Sequence, residues 1–298
     1  MKCAAAVRSS SRHRFPQGCH DVSLAIPWSG RQRNPAALPI NSQFTRPDAP
    51  AAPNPATLSP AISALFPSGI AAAELRKPAD ASLLDPEEAL SVQKAVPKRV
   101  GEFAAGRLCA RRALAEFGIV GFALKMAPDR VPLWPESMVG SISHTRGFAA
   151  AVVAERRRFS SLGVDVEAGG GVKRELWRHI CIPAESAWLE SLPEAARACA
   201  ATLVFSAKEA FYKCQYPVTG ERMRFADLCV TLPDSDAVSG DGAVAGVTAT
   251  PTRALAISAG CREPRFHGSY RVHEGYVCAG FYLPAAPLIS PRGSAPTR

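Results

Sequence analysis

Two short segments of the chain carry side chains that could perform chemistry together. The first is Leu203–Lys213, a largely apolar run that contains Lys208, Glu209 and Lys213. On a helix, Glu209 and Lys213 lie four residues apart on one face with the acid first, which is the favourable order for an ion pair. Ser206 and Glu209 also fit the S-x-x-E pattern of a capping box, so this segment alone favours a solvated helix start.

The second segment is Gly163–Glu167, in which two valines alternate with Asp165 and Glu167. On a strand this alternation places both carboxylates on one face and both valines on the other. Two adjacent carboxylates repel each other unless a cation lies between them, and magnesium commonly binds one or two carboxylates together with phosphate oxygens and water. The alternative is an exposed edge strand that turns its polar side chains outward.

The net charge of +9 belongs mostly to the two ends of the chain. Residues 1–60 carry seven Lys and Arg against two Asp, and residues 284–298 carry two Arg and no acid, so only +2 remains on residues 61–283. This distribution argues against a basic nucleic-acid-binding face on the folded body. The apolar fraction of 47% is ordinary for a globular protein.

The cysteines and the hydropathy pattern indicate a cytoplasmic protein. Nine cysteines occur without any C-x-x-C pair or zinc-ligand spacing, which is typical of free thiols in a reducing compartment. No apolar run approaches the roughly 20 residues that a membrane-spanning helix needs, and the N-terminus lacks the apolar centre of a secretory signal.

The composition divides the chain into four parts. Residues 1–60 hold nine of the 26 prolines and no periodic apolar pattern, which predicts a disordered extension, with an organelle transit peptide as the alternative. We expect an N-terminal subdomain over residues 61–160, a C-terminal subdomain with the acidic site over 161–283, and a disordered tail over 284–298.

Helices and strands alternate along the predicted folded region. Asp85 followed by Pro86 is a helix start, and Gly118 is the expected stop of a longer helix. The long predicted helices are 98–117 and 194–216, with short helices over 173–180 and 184–192. The predicted strands are 70–76, 148–154, 161–167, 227–232, 243–248 and 254–258, with a final hairpin of 268–273 and 276–283. We expect the strands that carry His144 and the acidic pair to be neighbours.

A stripe of basic residues follows the helix predicted over 98–117. Arg99, Phe103, Arg107 and Arg111 are spaced by four residues, and guanidinium groups in such a stripe suit phosphate oxygens. The simpler interpretation is a solvated cationic face. His144 likewise suits either a structural hydrogen bond or a phosphate contact.

Four motifs in a fixed order resemble the 4′-phosphopantetheinyl transferases of the enterobactin/surfactin-synthetase type. They are Lys98–Arg111, Trp134–His144, Gly163–Glu167 and Phe205–Lys213. The resemblance covers roughly residues 65–283. It implies an α+β fold of two α/β subdomains related by a pseudo-twofold, and magnesium-dependent transfer of the 4′-phosphopantetheine arm of coenzyme A to a serine of a carrier protein, releasing adenosine 3′,5′-bisphosphate.

The same resemblance implies roles for individual residues. Asp165, Glu167 and Glu209 match the magnesium ligands, and Glu209 also matches the group proposed to deprotonate the acceptor serine. The positions that match coenzyme A phosphate contacts are Arg99, Arg107, Ser143, His144, Lys208 and Lys213, with Arg111 and Arg130 as weaker assignments that would support a loop instead. The implied partners are coenzyme A and an apo acyl or peptidyl carrier protein, as in siderophore or nonribosomal peptide synthesis, and a monomer suffices.

Two other functions use the same residues differently. A magnesium-dependent phosphohydrolase would direct the acids at water and need no carrier protein. A noncatalytic anion- or nucleic-acid-binding protein would depend on the net charge, and therefore on residues 1–60.

Overall fold

The computed structural model describes residues 60–232, 242–258 and 265–285. The predictions for residues 1–59 and for the tail from 286 onward therefore lie outside the described residues. The helices are α1 (Pro60–Ser63), α2 (Pro86–Ala89), α3 (Pro97–Ala115), α4 (Trp177–Ile180), α5 (Pro183–Ser191) and α6 (Glu194–Thr219). The strands are β1 (Ile70–Leu75), β2 (Met138–Thr145), β3 (Phe148–Glu155), β4 (Phe159–Ala168), β5 (Leu228–Thr231), β6 (Val244–Pro251), β7 (Phe266–His273) and β8 (Tyr276–Pro284).

The first sheet contains three antiparallel strands in the order β1-β3-β2. Its central strand β3 is almost entirely apolar and buried, as expected for a strand that is covered on both faces. One face packs against α3, where Cys109 and Leu114 lie in one core with Ala151 and Val153. This packing places Arg99 of α3 beside His144 of β2.

The second sheet contains five antiparallel strands in the order β4-β8-β7-β6-β5. Val164 and Val166 of β4 lie in the same core as Ala150 and Val152 of the first sheet. Gly163 of β4 lies against the backbone of α6, so β4 is covered on both faces. The interpretation of β4 as a solvated edge strand is therefore wrong, although β4 does end the sheet.

The α+β fold class is confirmed, with one long helix packed on each sheet. Asp85 caps α2 in a complete capping box, and Pro86 is its first residue, as predicted. The division into subdomains at residue 160 and the pseudo-twofold relation stay predictions. None of the helices in the described part of the chain is long and apolar enough to cross a membrane.

Two local predictions are wrong. Residues 254–258 do not form a strand: a 3-10 turn covers Ala256–Ser258 instead, and the Ala256 amide donates to the carboxylate of Glu221 (3.2 Å) rather than to a strand. Ser206 does not cap a helix, because α6 already begins at Glu194 and Ser206 lies buried inside it.

Candidate active site

The strands β2 and β4 meet side by side through serine hydroxyl groups. Ser141 Oγ accepts the Val164 amide at 3.1 Å, and Ser143 Oγ accepts the Val166 amide at 3.2 Å. Ser143 Oγ also donates to Asp165 Oδ1 at 2.8 Å. The prediction that these strands are neighbours is confirmed, but they belong to two different sheets, and side chains take the place of a backbone ladder.

Helix α6 brings Lys213 to this junction. Its ammonium group lies 2.6 Å from Asp165 Oδ1, 3.1 Å from Ser143 Oγ and 3.3 Å from the Val164 carbonyl oxygen. Burial lowers the pKa of Lys213, but Asp165 and Glu209 outweigh that effect, so its pKa is raised overall. The lysine therefore carries its charge at neutral pH and partly neutralises the acids around it.

Three carboxylates act electrostatically on this lysine. Asp165 is 2% exposed and Glu209 is 8% exposed, while Glu167 accepts a hydrogen bond from Thr145 Oγ1 at 3.3 Å. Burial raises the pKa of Glu209 to about 7, and Asp165 adds to that shift while Lys213 opposes it. Burial, followed by the charge of Asp165, also raises the pKa of Glu167 well above its usual range. The ionised acids are thus not fully compensated by Lys213.

This part of the molecule fits a hard divalent cation in donor type and charge. Asp165 Oδ2 is buried and, among the described residues, has no hydrogen-bond partner. A cation would also offset the burial and repulsion that raise the carboxylate pKa values. Within the described ranges, however, no group of three or more His, Cys, Asp or Glu side chains is arranged to hold a metal ion. The set Asp165, Glu167 and Glu209 therefore stays a prediction.

His144 lies where α3 approaches β2. Arg99 Nη1 is 2.8 Å from His144 Nε2, and Glu102 Oε2 is 4.0 Å from His144 Nδ1. This approach needs Gly106, because a Cβ there would lie 2.9 Å from Ile142 Cγ2 and 3.9 Å from His144 Cδ2. Burial, followed by the charge of Arg99, lowers the pKa of His144 to about 3, so its imidazole is neutral at physiological pH.

The remaining arginines of α3 do not form a solvated face. Arg107 is 3% exposed and lies over the ring of Phe103, 4.2 Å from its centroid. Its Nε and Nη2 atoms are buried and have no hydrogen-bond partner among the described residues. Arg111 instead pairs with Glu88 at 2.6 Å. Arg107 is therefore available to an anion, whereas Arg111 is already engaged.

Lys208 lies apart from this group. Its side chain is 1% exposed and pairs with Glu185 Oε2 at 2.7 Å. The same ammonium group donates to the carbonyl oxygens of Ile180 and Phe225, both at 2.9 Å. These three partners join the α4–α5 region and the 3-10 turn before β5 (Phe225–Asp227) to α6, so the contacts of Lys208 are those of a structural residue.

Several residues of the site escaped the sequence reasoning. Thr145 donates to Glu167, Glu102 lies beside His144, and Gly106 leaves room for Ile142 of β2. A small pocket beside His144 is lined by Lys77 and Glu102 together with residues of the β2–β3 turn. Only the alternation of Ser141, Ser143 and Thr145 on one face of β2 is a signal that the sequence offers.

Two family models match consecutive parts of this chain, and its relatives carry the same family description. A family described as the 4′-phosphopantetheinyl transferase N-terminal domain matches residues 86–154, and the 4′-phosphopantetheinyl transferase superfamily matches residues 161–277. The chain is 36% identical to 4′-phosphopantetheinyl transferase Svp of Streptomyces mobaraensis, over 72% of this chain and 82% of that protein.

Two further relatives extend this comparison. The chain is 31% identical to 4′-phosphopantetheinyl transferase Npt of Nocardia iowensis, over 72% of this chain and 96% of that protein. It is 39% identical to enterobactin synthase component D of Escherichia coli K12, over 41% of this chain and 57% of that protein. The two longer similarities extend over more than four fifths of each relative.

Proposed function

Because this chain belongs to the 4′-phosphopantetheinyl transferase superfamily and is a holo-carrier-protein synthase, we propose that its Asp165–Lys213 site carries the transfer. The donor is coenzyme A, the acceptor is a serine of an acyl or peptidyl carrier protein, and adenosine 3′,5′-bisphosphate leaves. The observation that supports this assignment most directly is the contact of Lys213 with both Asp165 and Ser143, together with the electrostatic influence of Glu167 and Glu209 on that lysine.

The reaction forms one phosphorus–oxygen bond and breaks another. The carrier serine oxygen attacks the phosphorus next to pantetheine, and the bond from that phosphorus to the bridging oxygen of the pyrophosphate breaks. Such transfers depend mainly on positioning and charge stabilisation. Glu209 accepts the serine proton as the general base.

Basic residues on two elements hold the phosphate groups. Lys213 contacts Asp165 from α6, while on α3 Arg99 contacts His144 and Arg107 acts on His144 electrostatically. His144 is neutral and donates one ring N–H without adding charge. Ser143 orients Asp165 and Lys213, and Lys208 stays outside the ligand set because its donors are already bonded.

A magnesium ion held by Asp165, Glu167 and Glu209 would supply additional positive charge to the pyrophosphate. Asp165 Oδ2 could bind this ion directly, because it is buried and has no hydrogen-bond partner among the described residues. Lys213 and the cation would then share Asp165, since Lys213 contacts its Oδ1 and its Oδ2 has no hydrogen-bond partner within the described residues.

The proposal also includes the carrier protein, the cellular compartment and the domain boundaries. We assign residues 61–160 and 161–283 to two subdomains, place the enzyme in the cytoplasm as a monomer, and expect a carrier of siderophore or nonribosomal peptide synthesis. That choice of carrier is suggested by the similarity to enterobactin synthase component D.

The direct test is modification of purified apo-carrier proteins by coenzyme A, followed by the mass of each carrier. We expect one phosphopantetheine per carrier with the unaltered protein and none with Glu209→Gln. Glu194→Gln, an exposed position at the start of the same helix, is the control and should stay active. Hydrolysis of coenzyme A without carrier modification would favour the phosphohydrolase, and inertness toward every carrier would favour the binding protein.

A further inference from the structure

Glu88 is a completely buried carboxylate, 0% exposed, that collects three donors. Arg111 Nη1 lies 2.6 Å from its Oε2, and the Asp85 amide donates to the same oxygen at 3.0 Å. The Leu124 amide donates to Oε1 at 2.9 Å. Arg111 Nη2 also donates to the Leu83 carbonyl oxygen. A buried charge of this kind is stable only while a counter-ion stays beside it.

Arg107 lies one helical turn before Arg111, on the same side of α3. It is buried, it stacks on Phe103, and its Nε and Nη2 atoms have no hydrogen-bond partner among the described residues. Burial lowers the pKa of Arg107 to about 10, and the charge of Glu88 opposes that change. Glu88 therefore acts electrostatically on both arginines but forms its contact with Arg111.

We propose that Arg111 is a positioning residue: by pairing with Glu88, it leaves the Arg107 guanidinium free for a phosphate group of coenzyme A. The inference rests on the proposed function of Arg107 and deepens it. It differs from a direct phosphate contact by Arg111, because Arg111 Nη1 already donates to Glu88 and Nη2 to the Leu83 carbonyl.

The first test replaces Arg111 by methionine, which has similar length and no charge. Glu88 then loses its counter-ion, and the nearest cation on the same face of α3 is Arg107. We expect the KM for coenzyme A to rise roughly tenfold or more, because a charge-assisted contact to the ligand is lost. The kcat should stay within about twofold, as for a residue that affects binding alone. Arg112→Met, on the next position of α3, is the matched control.

The second test removes the carboxylate as well. In the double variant Glu88→Gln, Arg111→Met, nothing draws Arg107 away, so the KM should return to within about threefold of the original value. A direct contact between Arg111 and coenzyme A predicts no such recovery. A double variant as impaired as Arg111→Met would therefore overturn the proposal, and so would an Arg111→Met variant with unchanged KM.

Two more variants distinguish a failure of this inference from a loss of folding and from a failure of the proposed function of Arg107. Arg111→Lys keeps the charge beside Glu88 and should hold the KM within about threefold, whereas a loss as large as that of Arg111→Met would contradict a role based on charge. Arg107→Ala should raise the KM strongly. If Arg107→Ala binds coenzyme A normally, the proposed function of Arg107 is wrong, but if only Arg111→Met is silent, the positioning role alone is wrong.

Discussion

Gly163 of β4 lies directly against the backbone of Ala210 in α6. A Cβ at Gly163 would clash with the Ala210 carbonyl oxygen and would lie 2.7 Å from the Cys214 amide nitrogen. The absence of a side chain there lets the helix approach the strand closely. Two residues further along β4, that approach places Asp165 within 2.6 Å of Lys213.

The Gly163→Ala substitution should therefore disturb both the fold and the site. The clash involves backbone atoms on both sides, so it cannot be relieved by turning a side chain, and overpacking of this kind costs about 1–3 kcal/mol. Unfolding in urea should show that loss. Gly246→Ala is the matched control, since a Cβ at Gly246 of β6 meets nothing within 4 Å. Equal stability of the two variants would contradict the close approach.

Magnesium binding to the protein alone should strengthen as the pH rises. The pKa of Glu209 is raised to about 7 by burial, and that of Glu167 is raised as well. Without a cation, the stability from these groups is present below the usual glutamate pKa of 4.5 and is lost as the pH rises through 7. Since a cation must displace their protons, its affinity rises over the same window.

Thermal unfolding with and without magnesium chloride measures this effect. The increase in Tm due to magnesium should be small near about pH 6 and clearly larger near about pH 8.5. Glu209→Gln removes one of the titrating groups and should flatten the dependence. A magnesium effect that is equal at both pH values, or that decreases with pH, would be inconsistent with these carboxylates as ligands.

His144 should make the folded protein sensitive to acid. Burial, followed by the charge of Arg99, lowers its pKa from the usual 6.5 to about 3. The stability from the neutral imidazole is therefore complete above pH 6.5 and is lost as the pH falls toward 3, by at most about 1.4 kcal/mol per pH unit. His144→Gln should reduce the slope of the free energy of unfolding against pH between these limits. His179→Gln, at an exposed position, should leave the slope unchanged.

The motifs predicted which segments meet, but not how their side chains divide the work. Alternation places Asp165 and Glu167 on one face of a strand, and four-residue spacing places Glu209 and Lys213 on one face of a helix, but only the family resemblance indicated that these two faces meet. The sequence could not distinguish the roles of Arg107 and Arg111, since both lie on one face of α3. Their roles differ because Glu88 pairs with Arg111 in the folded structure. The serine bridge between β2 and β4 depends on two sheets meeting, which no local pattern specifies.

The two lysines of α6 give the sharpest contrast between sequence and structure. Lys208 and Lys213 are five residues apart, which places them about 140° apart around a helix. Lys213 faces Asp165, whereas Lys208 faces Glu185 and is 1% exposed. The helical geometry was present in the sequence, but it does not say which of the two faces meets β4.

The substitutions Lys208→Met and Lys213→Met should accordingly have different consequences. Lys208→Met leaves Glu185 buried without its counter-ion, so the free energy of unfolding should fall by about 3–5 kcal/mol, while the KM for coenzyme A of the folded protein stays unchanged. Lys213→Met should raise that KM at least about tenfold with a smaller loss of stability, because its side chain is 28% exposed. Urea unfolding and carrier-labelling kinetics on both variants measure these effects. A raised KM in Lys208→Met at full stability would place Lys208 in the ligand set instead. The contacts of Lys208 with Glu185, Ile180 and Phe225 predict a loss of stability and no change in coenzyme A binding.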